Sequence, residues 1–277
     1  MEKNTVNTRK KVGLALSGGG WRGMAHIGVL KVLEKNNIPI DFIAGTSAGA
    51  LMGGLYSYYG NINQLEDFVL KFGYKDLFKM ITDPRLKTGI IKGQKIIKYI
   101  NEKTSYANIE DLKIPFSAVA SDLVSGKPYY FKKGSLAEAI RTSISIPLLF
   151  QPTQKDGMIL IDGGATENVP VNCLKEMGAE YIIASNVNSG IFPLGPGMIK
   201  NAGNIALVST RTMLNTLSDI LTSQADFAIE SKIPIEKMKI GVGYFLEFIK
   251  EKEVIAIGER AAESSIKELK KYLSDKI

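Results

Sequence analysis

Two stretches near the amino terminus decide the fold: Lys11–Ser17 (KVGLALS), which runs into GGGWRG at 18–23, and Ile38–Ala44 (IPIDFIA), which runs into GTSAG at 45–49. Both begin as short apolar runs of the kind found in buried parallel strands, and both stop at glycine. After each glycine turn, the apolar residues recur at helical spacing. Strand, glycine turn and helix thus occur twice in succession, which predicts an α/β fold with a mostly parallel sheet.

The rest of the chain continues this alternation of strands and helices. A capping box at Ser135 and Glu138 marks one helix start, and Asn63 with Glu66 three residues later indicates another. The lysine-rich stretch Tyr74–Ser105 is either a peripheral helical region or a lid. The predicted strands are Ile114–Ala120, Lys127–Lys132, Met158–Ile161 and Tyr181–Ser185, and the remaining predicted helices are Trp21–Lys35, Ala48–Tyr59, Asn63–Phe72, one from about Val169, Asn204–Phe227 and Glu247–Leu273.

The composition predicts one globular domain. The chain has 277 residues, 45% of them apolar and 23% charged, which is enough for one large hydrophobic core. We expect a single domain over 12–277, preceded by a polar segment at 1–11 that is disordered or loosely ordered. The single cysteine, Cys173, cannot form a disulfide within the chain, and its setting predicts a small core residue. No apolar run approaches the ~18–20 residues of a membrane span and no signal-peptide pattern is present, so we expect a cytoplasmic protein that meets membranes only peripherally.

The charge of the chain leaves two interpretations open. There are 35 Lys and Arg residues against 28 Asp and Glu residues, for a formal net charge of +7. This excess fits a soluble surface that is simply basic, or a surface attracted to anionic lipid headgroups. Nucleic acid is not an expected partner, because no basic run is interleaved with aromatic residues.

Ser47 is the candidate nucleophile. It is the central residue of Gly45-Thr-Ser-Ala-Gly49, a G-x-S-x-G pattern that follows a predicted strand and opens a predicted helix. A sharp strand-to-helix turn presents a serine at the end of the sheet, and the flanking glycines let neighbouring elements approach closely. The helix amino terminus favours negative charge there. The competing interpretation is an ordinary glycine-rich turn.

Histidine is not the expected base for this serine. The only histidine, His26, precedes Ser47 and lies in the first predicted helix. An α/β-hydrolase triad has its histidine after the nucleophile, so this class is disfavoured. We expect His26 to make a local hydrogen bond instead.

The base must therefore be a carboxylate or a lysine, and the aspartates are the candidates that the sheet can sort. Sites in parallel sheets lie at the carboxyl ends of strands, and Asp41 is at the opposite end of its strand. Asp162 follows the predicted strand Met158–Ile161 and is held by Gly163 and Gly164, which makes it the first candidate. Asp122 is the second candidate, although aspartate is common in turns such as the one that follows it.

The first glycine loop is the candidate oxyanion site. Three successive glycines, Gly18, Gly19 and Gly20, leave backbone N–H groups free to point inward at a helix amino terminus. Arg22 adds a positive charge nearby that suits a phospholipid phosphate. The same residues satisfy the G-x-G-x-x-G dinucleotide pattern, but that motif requires an acid at the end of the second strand. Asp41 lies at its start, so no nucleotide cofactor is expected.

In this order, GGGWRG at 18–23, GTSAG at 45–49 and DGG at 162–164 resemble the motifs of the patatin-like phospholipase family, G-G-G-x-R/K-G, G-x-S-x-G and D-G-G/A. Ser121–Lys127 and Ile140–Pro147 are also similar to stretches of its bacterial single-domain members. The resemblance runs from about Val12 to at least Tyr181. It implies a three-layer α/β/α sandwich in which Ser47 is the nucleophile, Asp162 activates it, Gly18, Gly19 and Gly20 build the oxyanion hole, and Arg22 supports that loop.

The resemblance also implies the reaction. Members hydrolyse fatty acyl esters of phospholipids or related lipids through an acyl-enzyme, without a metal or a cofactor. Two alternatives stay open: an esterase or thioesterase for small soluble substrates, and a catalytically silent protein that binds lipid or a partner. Segments that could line an acyl groove are Leu51–Tyr59, Ile144–Phe150 and Ile191–Leu207, and the apolar residues of Ile191–Leu194, in the predicted loop Asn186–Ala202, suggest a lid or membrane contact.

Overall fold

The structure is a computed structural model that describes residues 9–71, 91–189, 202–233 and 251–276. Its strands are β1 (Val12–Leu16), β2 (Phe42–Thr46), β3 (Phe116–Asp122), β4 (Pro128–Phe131), β5 (Thr153–Lys155), β6 (Met158–Asp162), β7 (Tyr181–Asn186) and β8 (Phe227–Glu230). Its helices are α1 (Ala25–Lys35), α2 (Ala48–Tyr59), α3 (Ile62–Lys71), α4 (Gln94–Lys103), α5 (Leu136–Ser143), α6 (Val171–Met177), α7 (Ala202–Thr222) and α8 (Glu251–Lys276). Short 3₁₀ turns cover Gly20–Met24, Ile109–Asp111 and Gly163–Ala165.

The strands form one mixed sheet in the order β5-β6-β3-β2-β1-β7-β8, with β4 also paired to β3. The central run β3-β2-β1-β7-β8 is parallel, whereas β4, β5 and β6 pair antiparallel. Helices cover both faces. One core contains apolar residues of α1, α2, α5 and α8, and the other contains residues of α6 and α7. The three-layer α/β/α architecture implied by the family resemblance is confirmed.

Strand β3 brings two other strands together end to end. Strand β2 pairs with β3 as far as Thr46, which lies opposite Val119. Strand β6 pairs with the next residue, since Asp162 lies opposite Ala120. Because β4 pairs with residues 118–121, β2 and β6 must follow one another along the other edge of β3. The ends of β2 and β6 therefore meet.

Several element boundaries differ from the sequence predictions. Helix α3 begins at Ile62, and its cap is Asn61 rather than Asn63, because Asn61 Oδ1 accepts the backbone N–H of Asn63 at 2.9 Å. The cap at Ser135 is confirmed by a bond from the Glu138 N–H at 3.3 Å. Strands β5 and β8 were not predicted. Within the stretch Tyr74–Ser105 the structure describes α4, and residues 72–90 lie outside the described ranges.

The amino-terminal residues that the structure describes are attached to the sheet. Arg9, within the segment expected to be loosely ordered, forms an ion pair with Asp41 at 2.5 Å. The guanidinium hydrogen bond holds the pKa of the Asp41 carboxyl below its usual value, and Asp41 also accepts the N–H of Val12. Asp41 thus anchors the start of β1, at the end of the sheet away from Ser47. That residues 12–277 form one domain stays a prediction.

Two other predictions concern burial and membrane spans. Cys173 is buried in the core between β-sheet and α6, as predicted. Among the helices of the described ranges, none combines the length and the apolar character needed to cross a membrane. The longest of them, α8, is amphipathic and packs along α1.

Helices α1 and α8 cross at two glycines. A Cβ at Gly258 would overlap the carbonyl oxygen of Ala25, and one at Gly28 would overlap the carbonyl oxygen of Ile255. Each obstructing atom belongs to the backbone, so it cannot move aside as a flexible side chain can. The two helices therefore pack backbone against backbone, and side chains of α8 such as Val254 and Ala262 enter the main core.

We predict that Gly258→Ala lowers the free energy of unfolding by about 1–3 kcal/mol, because the new methyl group forces α1 and α8 apart. Helix propensity alone predicts the opposite, a gain of about 1 kcal/mol. Chemical denaturation measures the difference. The exposed position Ser264 on the same helix is the control, and Ser264→Ala should change stability by less than about 0.5 kcal/mol. A Gly258→Ala protein as stable as the wild type would contradict the close crossing.

Candidate active site

Ser47 occupies a strained turn between β2 and α2. Its backbone has φ 53° and ψ −119°, which is unusual for a residue other than glycine. The turn is held from both sides: the Ser47 N–H donates to Ser143 Oγ at 2.8 Å, and the Ser47 carbonyl accepts the N–H of Ala50 at 2.9 Å. Ser143 in turn donates to the carbonyl of Val119 at 2.6 Å. The buried serine is therefore fixed at the end of the sheet, as the motif predicted.

The flanking glycines are required by close backbone contacts. A Cβ at Gly49 would overlap the carbonyl oxygen of Leu16, the last residue of β1. A Cβ at Gly45 would overlap the carbonyl oxygen of Gly49. The start of α2 thus lies directly against the neighbouring strand, and this contact determines where Ser47 projects.

Asp162 accepts the hydroxyl of Ser47. The Ser47 Oγ donates to Asp162 Oδ2 at 2.6 Å, while Asp162 Oδ1 accepts the N–H of Gly164 at 2.8 Å. The Asp162 N–H donates to the carbonyl of Ser145 at 3.0 Å. Gly163 lies against β3, where a Cβ would overlap the carbonyl of Val119. The two carboxylate oxygens therefore have separate tasks: one contacts the serine and the other fixes the side chain.

Burial raises the pKa of Asp162 to about 6. The hydrogen bonds from Ser47 and Gly164 oppose this shift, because they stabilise the ionised carboxylate, but desolvation is the larger effect. A carboxylate with this pKa is a stronger proton acceptor than an exposed aspartate and is still ionised near pH 7.

Asp162 reaches the site by a route that the sequence argument did not foresee. We expected it at the carboxyl end of a strand in the parallel sheet. In the structure β6 is antiparallel to β3, and its last residue arrives beside the end of β2 from the opposite direction. Asp162 therefore lies beside Ser47 as predicted, but the topological reason that we gave for it was wrong.

The carboxylate of the other candidate base, Asp122, makes its hydrogen bonds within and beside the turn that follows β3. Its carboxylate accepts the Ser125 hydroxyl at 2.7 Å and the backbone N–H groups of Val124, Ser125 and Ile159. The Ser125 hydrogen bond is the main reason that the pKa of Asp122 lies below its usual value. These bonds make Asp122 a structural residue of the β3–β4 turn.

His26 makes hydrogen bonds with Ser17 and Ser185, residues that follow or belong to other elements, rather than the local hydrogen bond that we expected. Its Nε2 lies 2.9 Å from the carbonyl oxygen of Ser17 and its Nδ1 lies 2.8 Å from Ser185 Oγ. The carbonyl can only accept, so Nε2 carries the proton and Nδ1 accepts from the serine hydroxyl. Complete burial lowers the pKa of His26 to about 4, which keeps the ring neutral. Both ring nitrogens are thus engaged away from Ser47.

The glycine loop lies beside Ser47, and the Gly18 prediction needs a correction. A Cβ at Gly18 would come within 3.2 Å of Ser47 Cβ. The Gly18 N–H, however, donates to the carbonyl of Asn168 at 2.9 Å, so it is not free to bind an oxyanion. The amides of Gly19 and Gly20 are the candidates that remain.

Arg22 is buried and holds the glycine loop rather than facing solvent. Its Nε donates to the carbonyl of Gly19 at 3.2 Å, and its Nη2 donates to Asn188 Oδ1. Asn188 Nδ2 donates in turn to the carbonyl of Gly18. The carbonyl groups of Gly18 and Gly19 are therefore bound by side chains. The expected support of the loop by Arg22 matches these contacts, whereas its suggested contact with a phosphate does not.

Four residues of the site were missed by the sequence argument: Ser143, Ser145, Asn168 and Asn188. The two serines lie in Ile140–Pro147, a stretch noted only for its family similarity. The two asparagines carry no local pattern, since each acts through contacts with the distant glycine loop. Short-range motifs indicate the candidate reacting groups but not the residues that hold them.

The sequence profile of the family described as Patatin-like phospholipase matches residues 14–174. This span is more than half of the chain and includes Ser47 and Asp162. The chain therefore belongs to the patatin-like phospholipase family.

Curated relatives share the same region of the chain. An uncharacterized NTE family protein of Mycobacterium tuberculosis is 35% identical over 178 residues, which are 64% of this chain and 49% of that protein. The lysophospholipase NTE1 of Candida albicans is 35% identical over 187 residues, which are 66% of this chain and 14% of that protein. The matched region thus spans about half of the mycobacterial relative and a small part of the fungal one.

A solved structure confirms the fold. The crystal structure of VipD from Legionella pneumophila matches with a TM-score of 0.57 over 93% of this chain and 67% of VipD. The sequence identity is 12%, so the likeness concerns the arrangement of the elements.

We predict that Ser47→Gly is more stable than Ser47→Ala, by about 1 kcal/mol. Glycine adopts this backbone conformation without strain, which is worth about 1–3 kcal/mol, and its greater freedom in the unfolded chain offsets only part of that gain. Thermal melts of both variants test this. At the exposed helical position Ser264 the order of stability should reverse, so that Ser264→Ala is more stable than Ser264→Gly by about 1 kcal/mol. Equal or lower stability of Ser47→Gly would argue against a strained serine.

Proposed function

We propose that this protein is a serine lipid acyl hydrolase that cleaves fatty acyl esters through an acyl-enzyme on Ser47, with Asp162 as the general base. The observation that carries the proposal is the 2.6 Å hydrogen bond from Ser47 Oγ to Asp162 Oδ2. It joins a serine on a strained strand-to-helix turn to a buried carboxylate whose pKa is raised to about 6. Family membership supports the same reaction class.

The first half of the reaction acylates the serine. Ser47 Oγ attacks the ester carbonyl carbon while its proton passes to Asp162 Oδ2 along the existing hydrogen bond. The amides of Gly19 and Gly20 are placed to stabilise the negative oxygen that forms. When the intermediate collapses, the alcohol leaves with the proton held by Asp162, and the acyl group stays on Ser47.

The second half returns the enzyme to its starting state. A water molecule attacks the acyl carbon and gives a proton to Asp162, and the tetrahedral intermediate forms again in the same oxyanion site. Its collapse releases the fatty acid, and Ser47 Oγ recovers its proton from Asp162. Asp162 therefore alternates between base and acid, a role that suits a pKa of about 6.

Lipid esters are the substrate class that the relatives favour. Two of them are named for it or for a related activity, the lysophospholipase NTE1 of Candida albicans and the neuropathy target esterase sws of Drosophila melanogaster. The second is 35% identical over 189 residues. The suggested lid residues Ile191–Leu194 lie outside the described residues, and a lid there stays a prediction.

We predict that Ser47→Ala and Asp162→Asn each lower the hydrolysis rate on the order of 10⁴-fold, because the two groups act as one unit. A fluorophosphonate probe should label the wild type and neither variant, with circular dichroism confirming that both variants fold. Asp122→Asn is the matched control, since that carboxylate is bound by its own turn, and it should keep at least a tenth of the activity if it folds. Labelling of Asp162→Asn at the wild-type rate would contradict the dyad.

We also predict that Asp162→Asn stabilises the fold at pH 8. The pKa of Asp162 is higher in the folded protein than in the unfolded chain, so the carboxyl adds stability below pH 4 that is lost as pH rises through about 6. A shift of about two units corresponds to on the order of 3 kcal/mol. Thermal melts from pH 4 to pH 8 should show the advantage of the variant growing with pH. An advantage that is constant across this range would contradict the raised pKa.

A further inference from the structure

An exposed leucine occupies a turn position that favours glycine. The Leu149 N–H donates to the carbonyl of Ile146 at 3.1 Å, which closes a turn with Pro147 and Leu148 at its centre. Leu148 has φ 71°, and proline followed by a positive φ is the pattern of a type II turn. Leu148 is also 80% exposed. The chain thus presents a large apolar side chain to solvent at a cost in backbone strain.

The turn is held in this shape by a buried arginine. Arg141 donates through Nη1 to Ser145 Oγ, before the turn, and through Nη2 to the carbonyl of Gln151 at 2.8 Å, after it. The guanidinium also lies over the ring of Phe150, 5.7 Å from its centroid. Bonds on both sides of the turn fix its ends, so the exposure of Leu148 is imposed by the surrounding structure.

This turn is attached to the catalytic pair. Ser145, three residues before Leu148, accepts the Asp162 N–H with its carbonyl at 3.0 Å. Strands β3 and β6 continue past the level of Ser47, because their pairing extends from Ala120 to Asp122 beyond the end of β2. Leu148 and the ends of these strands therefore lie at the same end of the sheet as Ser47, the carboxyl end of β2.

Three more apolar side chains are exposed at this end of the sheet. Leu123 and Val124 follow β3 and are 58% and 65% exposed, and Ile159 on β6 is 38% exposed. The Leu123 N–H donates to the carbonyl of Ile159 at 2.9 Å, so these two residues are neighbours across the strand pair. Ile159 lies three residues from Asp162, about 10 Å along the strand. We call Leu123, Val124, Leu148 and Ile159 the apolar rim.

A basic residue accompanies the rim. Lys127 lies in the same turn as Val124 and is exposed. Lys155, at the tip of the β5–β6 hairpin, forms an ion pair with Asp156 at 3.6 Å, so that its charge is offset. The chain as a whole carries a formal charge of +7. Exposed apolar side chains beside an exposed lysine, on a chain of net positive charge, match an anionic bilayer: the apolar side chains enter the acyl region and the lysine contacts headgroups.

We propose that the apolar rim inserts into the surface of an anionic bilayer, with Leu148 as the deepest residue. Insertion would dock the end of the sheet that carries Ser47 on the bilayer. The inference rests on the proposed function, because a hydrolase of membrane lipids needs its serine to face the bilayer. Insertion also accounts for the strained turn: glycine would remove the strain at Leu148 but would leave no side chain to insert.

The test measures flotation with vesicles of phosphatidylcholine and phosphatidylglycerol, using protein that carries Ser47→Ala so that no lipid is consumed. Adding Leu148→Gly should weaken binding roughly tenfold, as expected for the loss of one buried leucine side chain. Leu123→Ser with Val124→Ser should weaken it at least as much. The melting temperature of Leu148→Gly should equal or exceed that of its parent, which excludes unfolding as the cause.

Tyr106 provides the matched control. It is 69% exposed at φ 58°. The next residue, Ala107, accepts the N–H of Leu136 at the amino-terminal end of α5, whereas Leu148 follows the carboxyl-terminal end of that helix. Tyr106→Gly should leave vesicle binding within about twofold. Unchanged binding by Leu148→Gly, an equal loss in Tyr106→Gly, or no binding by the parent would overturn the proposal, and equal binding to pure phosphatidylcholine would overturn the choice of an anionic surface. Fluorophosphonate labelling of the wild type tests the proposed function separately, because it needs no membrane.

Discussion

The site depends on the hydrogen bond between Ser47 Oγ and Asp162 Oδ2, two groups that are distant in the chain. Its geometry requires the ends of β2 and β6 to meet along one edge of β3, which the strand registers bring about. Burial of the carboxylate disfavours its ionised form and so raises its pKa. The same desolvation that costs stability therefore makes the Asp162 carboxylate a stronger proton acceptor.

The supporting residues explain how this costly arrangement is maintained. Ser143 binds the Ser47 N–H, and the Ser145 carbonyl binds the Asp162 N–H, so the carboxyl-terminal end of α5 and the residues that follow it position both partners. Arg141 in the preceding helix holds Ser145 and Gln151 through hydrogen bonds to neutral groups. Burial lowers the pKa of Arg141 to about 10, yet it stays charged at neutral pH. This segment links the catalytic pair to the turn that exposes Leu148.

The glycines of the loop make different hydrogen bonds although they belong to one motif. Gly18 uses its amide to bind Asn168, while Arg22 and Asn188 bind the carbonyls of Gly19 and Gly18. The amides of Gly19 and Gly20 therefore remain the candidates for an oxyanion site. A run of identical residues in the sequence thus has different roles, because each amide meets a different neighbour in the folded chain.

The sequence by itself determined the α/β class, the serine turn and the choice of Asp162 ahead of His26 as the candidate base. These features are encoded over a few residues, where apolar runs, glycines and the position of a single histidine carry the information. The antiparallel approach of β6 and the presence of strands β5 and β8 were decided by tertiary structure. So were the loss of the Gly18 amide and the roles of Ser143, Asn168 and Asn188, because each depends on a partner distant in the chain that only folding brings within hydrogen-bonding distance.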